Sequence, residues 1–144
     1  GQDANLDDVG IHMYGSTDEG GSFYVKTDTA NIDSDSIFHA GDLNWWHWLG
    51  DTPENNADAK RMAWREFKEL EGLSADVAMF PVDNRLEDAM EWGAIEFLRR
   101  VQVKKAFIPM HLNGPLWTPS VYFKALFDDV PIWEPQKEGD ECVF

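Results

Sequence analysis

Apolar and polar residues alternate along Ser22–Thr27, "SFYVKT", and the stretch is rich in aromatic and β-branched side chains. A period of two in such residues predicts a strand. Ile11–Tyr14 predicts a short strand before it, and the bend-forming "GSTDEGG" of Gly15–Gly21 lies between them. The polar "DTANIDSD" of residues 28–35 reads as a hairpin loop, and Ser36–Ala40 as the next strand, ending at Gly41–Asp42. After an irregular stretch from Trp45 to Asn56 the period lengthens. Ala63, Phe67, Leu70 and Ser74 share one helical face, Thr52 with Pro53 starts that helix, and Gly72 closes it.

Two unbroken apolar runs follow, Asp76–Val82 and Lys104–Met110, with the length and composition of buried central strands. Asp88–Val101 between them predicts a second helix, with Ala94, Leu98 and Val101 on one face. Thr118 with Pro119 starts a third, running to about Phe127. The "PIW" from Pro131 is strand-like. Residues 134–144 read as a polar tail, and the polar, acidic residues 1–9 as a loosely held start. The order is three meandering strands, then helix, strand, helix, strand, helix. It predicts an α/β fold, a mixed sheet with helices on one face, in a single domain or half-domain spanning residues 1–144.

Composition narrows the function classes. With 27 acidic against 12 basic residues the formal charge is −15, which disfavours phosphate backbones and anionic membranes, so nucleic acid is an unlikely partner. No apolar run approaches the ~20 residues of a membrane helix. One cysteine, Cys142, excludes an internal disulfide and a cysteine-based zinc cage, and is consistent with a reducing cytoplasm. The first residue is Gly1 rather than Met, which points to a cut or replaced start.

Candidate chemistry gathers where the apolar runs stop. The strands end on Asp42, Asp83 and His111, and the loop before "SFYVKT" offers Thr17, Asp18 and Glu19. Ligands of α/β sheets commonly bind at this rim, and carboxylate with imidazole suits zinc, iron or manganese. Each residue also has a structural reading. An Asp after Gly forms turns, a His after a buried strand edges a core, and Trp45, Trp46 and Trp48 fill a gap between loop and core. His12 and His47 read as structural.

"SIFHAGDLNWWHW", "DVAMFPVDNRL" and "AFIPMH", in this order and spacing, resemble the metallo-β-lactamase superfamily over roughly Met13 to Phe127. That resemblance implies the C-terminal half of a four-layer αββα sandwich with metals at the rim between two sheets. It implies Asp42 as the catalytic carboxylate bridging two metals and His111 as the last ligand. Asp18 stands nearest the position of a further ligand that the family supplies as His. Asp83 and Arg85 have no standard ligand role in that family; with His39, Glu19 and Thr17 they are candidates to contact the ligands or to face the substrate. The family's His-x-His-x-Asp-His motif is absent here. The implied cofactor is zinc, or iron or manganese, as one or two ions completed from outside this chain. A missing N-terminal half or an equivalent chain supplies the rest, with a homo-oligomer as one form. The implied reaction is hydrolysis of an ester, lactone or phosphoester bond in a small molecule by a metal-activated hydroxide. The alternative is a non-catalytic half-fold that pairs with itself or a partner and has lost metal.

Overall fold

The computed structural model describes residues 1–28, 30 and 34–144. Residues 29 and 31–33 of the expected 28–35 loop lie outside it. Six strands form one sheet in chain order: β1 (Gln2–Leu6), β2 (Val9–Tyr14), β3 (Ser22–Lys26), β4 (Ser36–His39), β5 (Ser74–Pro81) and β6 (Gln102–Met110). β1 to β4 pair antiparallel, while β4–β5 and β5–β6 pair parallel. The parallel pairs are those joined by helices, α1 (Pro53–Lys68) and α2 (Trp92–Leu98), as parallel pairing demands a crossover. A third helix, α3 (Val121–Leu126), follows β6.

Strand alternation gives the sheet two unlike faces. Tyr24, Phe38, Ala78 and Phe107 stand in register on one of them. Phe80, two residues beyond Ala78, shares it. Phe80 stacks on Phe97 of α2 at 4.6 Å and lies 6.2 Å from Phe67 of α1, and Phe107 lies 6.2 Å from Phe123 of α3. All three helices therefore cover this face, and its aromatic rings form the core. The other face carries two registered rows, Ile11–Val25–Ile37–Val77–Ala106 and Met13–Phe23–His39–Met79–Ile108. Neighbouring residues on β4 show the contrast: Phe38 is fully buried and Ile37 is 41% exposed.

The elements depart from the sequence pattern in four places. Gln2–Leu6, read as a loose start, pairs with β2 as an edge strand. All five residues are exposed, so no apolar alternation marks them. The single helix expected over Asp88–Val101 is instead a 3₁₀ segment, Asn84–Ala89, followed by α2. Glu87, at φ 51°, breaks the helical path between them. The third helix is capped by Ser120, whose hydroxyl accepts the Phe123 amide, and Thr118 precedes it. Ser74 opens β5 rather than extending α1, because the chain leaves the helix at Lys68 and turns at Gly72 with φ 79°. Thr52 caps α1 by accepting the Asn55 amide at 3.2 Å. Ile132 of "PIW" makes one parallel bridge to Phe107. Among the described residues no helix is long and apolar enough to cross a membrane.

Candidate functional site

The site is built at the C-terminal ends of β4, β5 and β6. The Ala40 amide donates to the Met79 carbonyl at 2.9 Å and carries the parallel ladder one residue past β4. Gly41 then turns the chain at φ 56°, and a Cβ there would lie 2.5 Å from the Gly21 carbonyl oxygen. Only glycine satisfies both demands, and this turn sets the direction of Asp42. The Thr17 hydroxyl lies 2.7 Å from the Asn44 carbonyl oxygen and 3.2 Å from that of Asp42, and it accepts the Asn44 amide at 2.9 Å. Thr17 thus staples the β2–β3 loop, which carries Asp18, to the segment leaving Asp42. On β5 and β6, bonds from the Val82 amide to Met110 and from the Asn84 amide to Leu112 keep the two chains paired up to Asp83 and His111.

His111 stands between two carboxylates. Its Nδ1 lies 2.9 Å from Asp83 Oδ2, and its Nε2 lies 3.6 Å from Asp42 Oδ1. The Asp83 side chain is fully buried. Arg85 grips it through Nε at 3.0 and 3.1 Å and Nη2 at 2.6 Å, the Arg85 amide donates at 2.9 Å, and Asn113 Nδ2 donates at 3.0 Å. Burial pushes the Asp83 carboxyl up, but the hydrogen bonds from Arg85 and His111 outweigh it and lower its pKa to about 2. An ionised carboxylate only accepts, so Nδ1 of His111 is the donor. In the neutral ring Nε2 then keeps its lone pair, on the side toward Asp42. Trp46 packs its ring edge-on against His111 at 5.4 Å, and its indole N–H donates to the Asp42 carbonyl.

The spacing of Nε2 and Oδ1 suits two ligands of one zinc ion. Two ligands at ~2.1 Å from one tetrahedral zinc lie about 3.4 Å apart, close to the 3.6 Å between Nε2 and Oδ1. A ligating His commonly donates its other ring N–H to a carboxylate, the position Asp83 occupies. Among the described residues no group of three or more His, Cys, Asp or Glu is arranged to hold a metal ion.

A cleft of about 420 Å³ opens beside His111, with Thr17, Asp18, Trp46, Trp48 and Arg85 also on its walls, while Asp42 does not line it. Its far wall is one face of α1, including Asn55, Ala59 and Met62. Asp18 therefore shares the cleft with His111. Glu19 is exposed and does not line it. His39 is exposed on the uncovered face of β4, where its Nδ1 accepts the Gly41 amide at 3.0 Å. His12 of β2 pairs with Asp3 of the edge strand β1, and His47 packs on Trp92 at 4.7 Å. Trp45 packs among Trp64, Trp92 and His47. Trp46, expected to fill a gap between loop and core, also packs on His111, and two contributors were not among the candidates: Asn113 and the face of α1. The "HLNG" stretch carried a signal for Asn113, since Asn tolerates the left-handed backbone adopted there, at φ 46°.

The depressed Asp83 carboxyl makes stability depend on pH with a definite sign. Its folded pKa of about 2 lies below the ~3.9 of an unfolded Asp, so the contribution is fully present above that value and is lost as pH falls toward 2. The full difference corresponds to roughly 2–3 kcal/mol. Urea denaturation at pH 6 and pH 3 is expected to show about half of this loss in the native chain, the rest falling below pH 3. Asp83→Asn should show a smaller one.

Comparisons with protein-family models, with curated proteins and with solved structures give no match to this chain.

Proposed function

We propose that this chain is the C-terminal half of a metal-dependent hydrolase of the metallo-β-lactamase type, contributing Asp42 and His111 to its metal centre. The observation that carries the reading is the 3.6 Å approach of His111 Nε2 to Asp42 Oδ1 while Asp83 occupies Nδ1. Zinc is the ion this donor pair suits best, with iron or manganese as alternatives. When bound, the metal supplies an activated water that is nucleophilic near neutral pH. The residues here have their own tasks. Asp83 fixes the His111 tautomer, Arg85 keeps Asp83 ionised, and the Gly41 turn aims Asp42. Asp18, in the same cleft, is the third candidate donor. The remaining ligands come from an N-terminal half or an equivalent chain. Substrates of this reading are small molecules with an ester, lactone or phosphoester bond.

A second reading rests on the incompleteness of the set. A half-fold that pairs with a partner and has lost metal also has fewer than three converging ligands. Calorimetric titration with zinc separates the two. The hydrolase reading expects saturable binding that Asp42→Ala weakens at least tenfold. A native chain that takes up no zinc at saturation leaves the non-catalytic reading.

A further inference from the structure

We infer that the cleft beside His111 selects its substrate by charge: it takes an ester or lactone that is positively charged where it meets α1, and it rejects phosphoesters. This deepens the hydrolase reading above and rests on it. The cleft has a volume of about 420 Å³, within the range of small-molecule sites. Its walls are set before anything binds. Asn56 of α1 clamps the Trp48 main chain, its Oδ1 accepting the Trp48 amide at 3.0 Å and its Nδ2 donating to the Trp48 carbonyl at 2.8 Å. The tryptophan loop is thereby fixed to the helix across the cleft. Trp46 and Trp48 lie nearly parallel, at 10° with ring centroids 6.3 Å apart, and with Met62 they give the cleft an apolar lining.

The charged groups on these walls are unequal. Besides His111 they are Asp18, Asp51, Asp58 and Arg85. Arg85 is already engaged. Its Nε and Nη2 hold the buried Asp83 carboxylate, and its guanidinium lies over the Trp48 ring at 5.5 Å. Asp58 pairs with Arg61 at 2.6 Å, with both side chains largely exposed. Among the described residues Asp18 and Asp51 form no ion pair. Hydrogen bonds from the Asn55 side chain and the Thr52 amide hold the Asp51 carboxyl below the usual range, so it is ionised at neutral pH. A phosphoester here would face these carboxylates with its nearest guanidinium committed to Asp83, whereas an ammonium group would be attracted. The acids do not converge on a point that could hold a bare metal ion. Spread along the walls, they suit a charge carried on a larger organic body whose apolar part meets Trp46, Trp48 and Met62.

Proton–nitrogen NMR of the indole N–H groups tests this, with Trp48→Phe identifying the Trp48 resonance. Three probes share a benzyl group and differ in charge: benzyltrimethylammonium, benzyl alcohol and benzylphosphonate. Each is titrated into the native chain with chelator present. Benzyltrimethylammonium is expected to shift the Trp48 resonance and to bind at least tenfold tighter than benzylphosphonate at low ionic strength. The preference should shrink as salt rises, because exposed charges are screened. Asp51→Asn combined with Asp58→Asn should cut it at least threefold. Circular dichroism checks that this variant folds. Three results overturn the inference: benzylphosphonate binding as tightly as the cation, no shift of Trp48 with any probe, or an undiminished preference in the folded double variant. If His111 still binds zinc in such a case, the hydrolase reading survives and only the charge selection falls. The preference in a chain that takes up no zinc supports the cation site and overturns the hydrolase reading instead.

Discussion

Replacing Asp83 by Ala is expected to destabilise the fold by about 2–4 kcal/mol, below the upper end for a broken buried ion pair because Arg85 is half exposed and can turn to water. The carboxylate is fully buried and gathers donors from two chain segments 28 residues apart in sequence: Arg85 beside it and His111 and Asn113 across the strand pair. Its loss leaves the His111 ring free to take either tautomer. Zinc affinity should therefore fall by roughly 10–100-fold, the usual effect of removing a carboxylate behind a ligating His. Urea denaturation and a zinc titration on the same preparation check both numbers. Unchanged zinc affinity in a folded Asp83→Ala chain contradicts the positioning role.

Phe80→Ala is expected to have a still larger effect on stability, about 3–5 kcal/mol. Phe80 is fully buried, stacked on Phe97 and within 6.5 Å of Phe107, so it links the sheet to α2 and borders the ring of α1, Phe67. Removing its ring leaves a cavity where β5 meets α1, α2 and β6. A domain of this size commonly holds only 5–15 kcal/mol in total. The melting temperature should therefore drop by roughly 10–15 °C. Phe80→Leu, which keeps most of the volume, should recover the greater part. A loss below about 1 kcal/mol in Phe80→Ala contradicts the packing described.

The same two residues show what the sequence made legible. The apolar runs ending at Val82 and Met110 marked two central strands, and their polar stops pointed to Asp83 and His111. Asp42 was visible for the same reason, as an acid closing an apolar strand after glycine. The pairing of Asp83 with His111 was not visible, because it depends on the parallel register that sets Pro81 beside Met110. Periodicity reports which face a residue takes, not which strand lies next to it. β1 was hidden for a different reason. A strand exposed on all five residues buries nothing, so its composition carries no alternation. The break in the expected second helix rests on one residue, Glu87, whose left-handed backbone no local pattern announces.

Nitrogen-15 NMR of the His111 ring reads its tautomer and its response to zinc, with His111→Ala identifying the resonance among the four histidines. In the neutral ring the proton is expected on Nδ1, bonded to Asp83, and zinc is expected to shift the Nε2 resonance. A proton on Nε2 in the metal-free chain, or a His111 spectrum unchanged at saturating zinc, contradicts the role proposed for His111.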